Sequence, residues 1–267
     1  VLLRDKLSRQ MGLLAVSALL LVLAGFTRFS STVWSNYDEM VVASAQKAPT
    51  SARAQAELAV VLFNAGQYEQ SLEVMDRAVE NIPNNDPLLL INRLVIRCNV
   101  RALQPHELDA AVTSLSPRIY DPRYLKHYAG LSQALSEGRC PGVELEQLRP
   151  LFTNMLKNSA NSQPGSLAFS HIKYLAGSVD LQSGNIDAAM RQFVESLEAK
   201  PDAGSAMTMA AMVATAGYPE EALLLSSRAL EYLDVESRGV RLGLKVTEKD
   251  ILDFRAVVTA EIQGATE

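Results

Sequence analysis

Apolar and polar residues follow one another with helical spacing along most of this chain, in segments that Pro, Gly and Asn separate. The apolar residues are mainly Leu, Ala and Val, and aromatic residues make up only 6% of the chain. This composition favours helices over sheets. Because 48% of the residues are hydrophobic, the chain can bury a substantial core. The pattern therefore predicts an all-α protein.

One pattern of small and apolar positions occurs three times. The copies cover residues 52–85, 170–202 and 203–235. They carry Leu58, Ala59, Leu62, Gly66, Tyr68, Ala78 and Pro83, then Ala176, Gly177, Gly184, Ile186, Ala189, Phe193 and Pro201, then Ala210, Gly217, Ala222 and Ala229. The glycines permit a tight turn between two antiparallel helices, and the small residues let neighbouring helices approach closely. Each copy is therefore predicted to be a helical hairpin.

This pattern resembles the tetratricopeptide repeat (TPR) family, over roughly 100 positions. The resemblance implies an α-solenoid whose concave groove holds a protein or peptide ligand. By this resemblance, the candidate groove residues are Arg53, Phe63 and Asn64 in the first copy, and His171, Tyr174 and Gln182 in the second. Because only one of them is an arginine, we expect an apolar helix or extended segment as ligand rather than an acidic peptide terminus.

The segments outside the three copies are interpreted with the same repeat architecture in mind. Residues 86–169 are predicted to be degenerate helical repeats, with helices near 87–100, 106–115, 122–137 and 142–158. Residues 236–267 are predicted to be a C-terminal capping segment. Its last helix is expected to open near Thr247 and to run to about residue 261.

An uncharged apolar run near the N-terminus predicts attachment to a membrane. It covers residues 11–27 and follows Arg4, Lys6 and Arg9. We expect a transmembrane helix at 11–28, a cytoplasmic flank at 1–10 and an interfacial linker at 29–51, with the repeats on the outer side because the basic residues precede the helix. A cleavable signal peptide is the alternative, although no small-x-small site follows the run.

The region between this run and the repeats carries a second resemblance. Thr27, Arg28 and Trp34 precede the segment 49–54, which reads Pro-Thr-Ser-Ala-Arg-Ala. The layout resembles the C-terminal tail of bacterial polytopic membrane proteins of the O-mannosyltransferase or O-oligosaccharyltransferase kind. It implies a bacterial inner-membrane location with periplasmic TPRs. The initial Val fits the tail of a longer polypeptide, whose catalytic residues would lie outside this sequence.

Candidate chemistry within the chain is sparse. Cys98 and Cys140 could form a disulfide in an extracytoplasmic protein, or could be two separately buried thiols. The three histidines lack metal-ligand spacing, and no nucleophile or phosphate-binding motif is present, so we expect no metal, no cofactor and no catalytic residue. The formal net charge of −5 argues against nucleic-acid binding.

These observations lead to one interpretation and two alternatives. The sequence is interpreted as a membrane-anchored TPR scaffold that mediates protein–protein interactions in the bacterial cell envelope and is not itself an enzyme. It could instead be the non-catalytic regulatory tail of a polytopic membrane glycosyltransferase. A third interpretation is a periplasmic chaperone or assembly factor that binds clients in its groove.

Overall fold

The computed structural model describes residues 16–28, 31, 34–83, 86–236 and 246–264, without the side chains of 234–236. All regular secondary structure in these residues is helical. The chain divides into two compact units, Val1–Asn84 and Asn85–Glu267. The prediction of an all-α protein built from helical hairpins is confirmed.

The first unit contains three helices after its helical residues 16–28. They are α1 (Tyr37–Lys47), α2 (Ala52–Asn64) and α3 (Tyr68–Asn81). The side chain of Ser51 caps α2 by accepting a hydrogen bond from the backbone N–H of Ala54. The α2 and α3 helices form a hairpin, which the Ser71 hydroxyl ties together by donating to the Ala59 carbonyl at 2.6 Å. Both of these residues are fully buried.

Residues 16–28 are helical, and their large apolar side chains are exposed. Leu21 is 74% exposed and Phe26 is 69% exposed. Within the part of the chain that the structure describes, no helix combines the length and the apolar character needed to cross a membrane. The predicted span 11–28 begins outside the described residues, as does the whole predicted flank 1–10. The transmembrane helix therefore remains a prediction.

The second unit contains nine further α-helices among its described residues. They are α4 (Pro87–Val100), α5 (Pro105–Leu115), α6 (Leu125–Ser136), α7 (Arg149–Met155), α8 (Leu167–Gln182), α9 (Ile186–Ala199), α10 (Ala203–Thr215), α11 (Pro219–Glu236) and α12 (Glu248–Gly264). Short 3₁₀ helices at Pro122–Tyr124 and Leu145–Leu148 precede α6 and α7. The predicted helix over 142–158 is thus divided, because Pro150 in the first turn of α7 has no backbone N–H with which to continue a preceding helix.

The middle of this unit, from α4 to α7, has an interleaved arrangement, with α4 packing against α6 and α5 against α7. Its core includes Leu103, Leu131 and Phe152, all of them almost fully buried. Cys98 at the end of α4 and Cys140 in the loop after α6 form a disulfide. The bond joins two segments that are 42 residues apart in the sequence.

The C-terminal half of the unit repeats the hairpin twice, as α8–α9 and α10–α11. Each turn is made by a glycine with positive φ, 75° at Gly184 and 86° at Gly217, a conformation that other residues adopt only with strain. The turn glycines Gly184 and Gly217 are 33 residues apart in the sequence, close to the 34-residue period of a TPR, so the hairpins are TPR-like. The last helix, α12, packs against α11. There the Arg255 guanidinium donates to the carbonyl of Leu223 at 2.9 Å.

Candidate ligand cavity between α8 and α10

A cavity of about 250 Å³ lies between the first helices of the two C-terminal hairpins. The helices α8 and α10 form two of its walls, the end of α9 closes it between them, and one residue of α6 borders it. Its lining residues are Leu125, Ser170, His171, Tyr174, Ser196, Leu197, Lys200, Asp202, Gly204, Ser205, Thr208 and Met209. Its surface therefore combines hydroxyl groups, apolar side chains and the charged residues Lys200 and Asp202.

Local sequence signals set the positions of these residues. Ser166 caps α8 by accepting from the backbone N–H of Phe169 at 3.1 Å, and the following turns place Ser170 and Tyr174 on one face, four residues apart. Asp202 caps α10 in the same way, accepting from the backbone N–H of Ser205 at 2.6 Å. Pro201 lies in the connection between α9 and α10, where it cannot continue the preceding helix.

A buried pair of serines joins α8 to α9 at the cavity wall. The Ser196 hydroxyl donates to the Ser170 carbonyl at 2.8 Å, and the two hydroxyl oxygens are 3.2 Å apart. Ser196 is 1% exposed and Ser170 is 7% exposed. Because these groups satisfy one another, they fix the distance between the two helices at the cavity.

His171 lies in the cavity as a half-buried side chain. Its Nδ1 is 3.4 Å from the hydroxyl of Tyr120, and the two rings meet edge to face. Burial lowers the pKa of His171 below its ordinary value, and it raises the pKa of the Tyr120 hydroxyl well above its ordinary value. At neutral pH the imidazole is therefore uncharged. If Nδ1 accepts from Tyr120, the ring carries its proton on Nε2 and offers a donor there.

Tyr174 connects the two walls of the cavity. Its hydroxyl contacts the sulfur of Met212 on α10 at 3.5 Å, and its ring packs beside that of Phe193 on α9 at a centroid distance of 6.2 Å. Burial raises the pKa of Tyr174, so the hydroxyl stays protonated. The side chain therefore acts as a rigid wall with a polar tip.

The lining suits the binding of a short segment through hydrogen bonds and apolar contacts. Leu125, Leu197 and Met209 provide the apolar surface, and Lys200 and Asp202 carry opposite charges. The cavity is smaller than the roughly 300–1,000 Å³ typical of sites for drug-sized ligands, and it matches one or two side chains of a peptide. Within the residues that the structure describes, no three His, Cys, Asp or Glu residues cluster in a way that could hold a metal ion.

The structure brings two of the six predicted groove residues to this cavity, His171 and Tyr174. Gln182, from the same helix, is exposed at the far end of α8 and does not line it. The other three lie in the first unit. Arg53 forms an ion pair with Glu57 at 2.9 Å, Phe63 packs edge to face on Tyr68, and Asn64 is exposed at the end of α2.

The sequence interpretation missed the contribution of α9 and of the connection after it. Ser196 and Lys200 enter the cavity from the end of the second helix of a hairpin, whereas the resemblance directed attention to the first helix. A useful signal was the sequence Lys200-Pro201-Asp202, which ends one helix and caps the next within three residues. A connection this short holds both helix ends beside the same space.

No family model and no curated protein matches the sequence. The resemblance to bacterial O-mannosyltransferase-like proteins therefore receives no support from these comparisons. Among solved structures, the chain is similar to the crystal structure of a thermophilic TPR protein from Thermus thermophilus, with 18% identity and a TM-score of 0.38. The match covers 79% of this chain and 100% of that one.

Proposed function

We propose that this chain is a protein-interaction scaffold that holds a peptide segment of a partner protein in the α8–α10 cavity. The observation that carries the proposal is the mixed lining of that cavity, in which hydroxyl groups and apolar side chains from two successive hairpins surround a space of about 250 Å³. A large apolar side chain of the partner would contact Leu197 and Met209. Its backbone would hydrogen-bond to the hydroxyl groups at the rim.

Peptide selection tests this proposal. A displayed library of random peptides, selected against the 267-residue chain, should yield a consensus with one large apolar position. The substitution Thr208→Trp fills the cavity and should weaken binding of the consensus peptide by at least about ten-fold, a loss of about 1.4 kcal/mol. Thr215→Trp is the matched control, because Thr215 is an exposed threonine of the same helix that does not line the cavity.

Two results would count against the proposal. One is the absence of any consensus after selection. The other is binding that Thr208→Trp and Thr215→Trp weaken equally, which would place the peptide elsewhere. Circular dichroism spectra should show that both variants keep the helical content of the parent protein, so that a loss of binding reports the cavity rather than the fold.

We also propose that the scaffold is attached to a membrane by residues 11–28, with its second unit on the extracytoplasmic side. The exposed apolar side chains of the helical residues 16–28 support attachment. The Cys98–Cys140 disulfide supports an oxidising compartment. This localisation goes further than the peptide-binding proposal, which does not depend on it.

Flotation with liposomes tests the attachment. The whole chain should float with vesicles of phosphatidylcholine and phosphatidylglycerol, and a variant that lacks residues 1–30 should stay at the bottom of the gradient. Alkylation of cells without a reductant, followed by mass spectrometry, should find Cys98 and Cys140 unmodified by the reagent and linked to each other. Equal flotation of both chains, or alkylated thiols in cells, would contradict the corresponding part of the proposal.

A further inference from the structure

Two exposed aromatic residues lie between the apolar helical residues 16–28 and the packed helices of the first unit. Trp34 is 71% exposed, and Tyr37, the first residue of α1, is 59% exposed. Trp34 is also the single tryptophan of the sequence. Large apolar groups that stay exposed in neighbouring parts of a chain mark a surface that meets a partner or a membrane.

The sequence around the two rings has the composition of a membrane–water boundary. Residues 29–37 carry no charged side chain, and they combine hydroxyl, amide and aromatic groups. Arg28 precedes this stretch, and Asp38 and Glu39 follow it directly. Side chains of this intermediate polarity suit the headgroup region of a bilayer, whereas carboxylates favour water.

A polar cap separates the two rings and begins α1. Asn36 has extended backbone angles, with φ −118° and ψ 112°. Its side-chain oxygen accepts a hydrogen bond from the backbone N–H of Asp38 at 3.1 Å, and its amide nitrogen donates to Oε1 of Glu39 at 3.1 Å. The change from apolar to charged side chains is therefore complete within the first turn of α1.

The helix α1 is in turn fixed to the α2–α3 hairpin. Val41 is 1% exposed and Ala45 is 3% exposed, and α1 packs against α2. The side-chain amide of Gln55 on α2 donates to the Ala45 carbonyl at 3.1 Å. Tyr37, at the start of α1, therefore has a defined position relative to the hairpin, and Trp34 precedes it by three positions.

The spacing from the proposed span matches the depth of the headgroup region. A helix over residues 11–28 is about 27 Å long, slightly less than the hydrocarbon core of about 30 Å. The six further positions to Trp34 add about 9 Å at the helical rise. The indole would then lie about 6 Å outside the core, within a headgroup layer roughly 5 to 8 Å thick. Tyr37 would lie near the outer edge of that layer.

We propose that Trp34 and Tyr37 anchor the first unit in the headgroup region of a lipid bilayer, and that α1 leads from there into water. This inference rests on the membrane attachment proposed above, to which it adds the depth of the chain and the direction of α1. An indole and a phenol each join an apolar ring to a polar group, so they are most stable where hydrocarbon meets water. Because neither ring is charged, anionic headgroups are not required.

Fluorescence of Trp34 tests this inference in the whole chain. In phosphatidylcholine vesicles, lipids brominated near the headgroup end of the acyl chain should quench Trp34 at least about two-fold more than lipids brominated near the methyl end. Added phosphatidylglycerol should leave this ratio unchanged. Trp34→Phe/Tyr37→Trp moves the reporter to the second ring, and it should give the same order of quenching.

Trp34→Phe/Gln46→Trp is the matched control, because Gln46 is an exposed residue near the other end of α1. Its new tryptophan should be quenched by acrylamide in water and by neither brominated lipid. Equal lipid quenching of Trp34 and of the tryptophan introduced at Gln46 would show that α1 lies along the membrane and would overturn the inference. Stronger quenching of Trp34 from the methyl end would do the same, because it would place the indole in the hydrocarbon core.

Flotation of the same vesicles separates this inference from the attachment on which it rests. If the chain floats but neither brominated lipid quenches Trp34, the attachment stands and the inference is wrong, which would leave the ring in water for contact with a protein. If the chain stays at the bottom of the gradient, the attachment itself is wrong and the inference fails with it.

Discussion

Gly177 of α8 lies directly against the ring of Phe193 of α9. A methyl group placed on Gly177 would lie 2.7 Å from two carbon atoms of that ring and 3.2 Å from the carbonyl oxygen of Ala189. Phe193 is completely buried, so the ring has little room to move away. The close approach of α8 and α9, which positions the serine pair beside the cavity, therefore depends on the absence of a side chain at Gly177.

Gly177→Ala should destabilise the protein by about 1 to 3 kcal/mol, the usual cost of overpacking a core. Gly130→Ala is the matched control, because Gly130 also lies inside a helix but has no atom within 4 Å of an added methyl group. It should stabilise the protein by about 0.5 to 1 kcal/mol through helix propensity. Urea unfolding of both variants measures the difference. Stabilisation by Gly177→Ala would show that α8 and α9 can separate without cost.

The disulfide should contribute strongly to the stability of the middle region. A cross-link between residues 42 apart removes chain entropy from the unfolded state worth about 4 kcal/mol in the loop-closure model. A reductant should therefore lower the unfolding midpoint of the parent protein in urea. The Cys98→Ala/Cys140→Ala variant should have a similarly low midpoint and should not respond to the reductant. An unchanged midpoint on reduction of the parent protein would contradict this prediction.

The parts of the fold that the sequence predicted are those governed by local rules. Gly184 and Gly217 mark turns because the required backbone conformation excludes most other residues, whatever surrounds them. The cavity was not predicted, because it depends on contacts between distant segments. Lys200 and Thr208 reach one space only after α9 and α10 have packed. Gln182 was predicted for the groove by analogy with TPR proteins. It lies about two helical turns beyond Tyr174 on α8 and does not reach the cavity.

Arg255 should strengthen the attachment of α12 to α11, which also buries Ile251 in a shared apolar cluster. Nη1 of Arg255 donates to the Leu223 carbonyl at 2.9 Å and to the hydroxyl groups of Ser226 and Ser227 at 2.9 and 2.7 Å. Arg255→Gln should therefore increase hydrogen exchange of the backbone amides of α12 by about five-fold or more, a loss of about 1 kcal/mol or more. Arg228→Gln should leave the exchange of the α12 amides unchanged, because Arg228 of α11 forms an ion pair with Glu198 instead. Unaltered protection in Arg255→Gln would show that apolar contacts suffice.

Two half-buried histidines, His127 and His171, should make the stability fall in mild acid. Burial is the largest cause that lowers the pKa of His171 and of His127 in the folded protein. Below about pH 6.5 the unfolded chain binds protons that the folded protein does not yet bind, so the free energy of unfolding decreases as the pH falls. His171→Gln and His127→Gln should each make the free energy of unfolding fall less between about pH 7 and 5 than it does in the parent protein. Urea unfolding at the two pH values measures this fall.

The double variant should show the smallest dependence on pH, because the two residues titrate at separate sites. His127 is hydrogen-bonded to Asn92 on α4, whereas His171 contacts Tyr120. A double variant whose stability falls with pH as steeply as that of the parent protein would show that carboxyl groups, rather than these histidines, govern the acid response.

The ion pair between Arg149 and Asp180 joins α7 to α8, and its contribution to the free energy of unfolding can be tested by substitution. Nη2 of Arg149 lies 2.7 Å from Oδ1 of Asp180, and the aspartate side chain is 8% exposed. Burial raises the pKa of Asp180 above its ordinary value, although Arg149 opposes that effect. Arg149→Met should destabilise the protein by about 2 kcal/mol at pH 7, because it leaves a buried carboxylate without its nearest cation. Asp180→Asn in the same chain should recover most of that loss.

The pH dependence of this loss has a definite sign. With a folded pKa above the unfolded value, the folded protein binds a proton at Asp180 more readily than the unfolded chain does, so protonation favours folding as the pH falls. Removal of Arg149 raises the folded pKa further. The stability difference between Arg149→Met and the parent protein should therefore be largest at neutral pH and should shrink towards about pH 4, as measured by urea unfolding. A constant difference across this range would show that the loss comes from packing of the arginine side chain rather than from its charge.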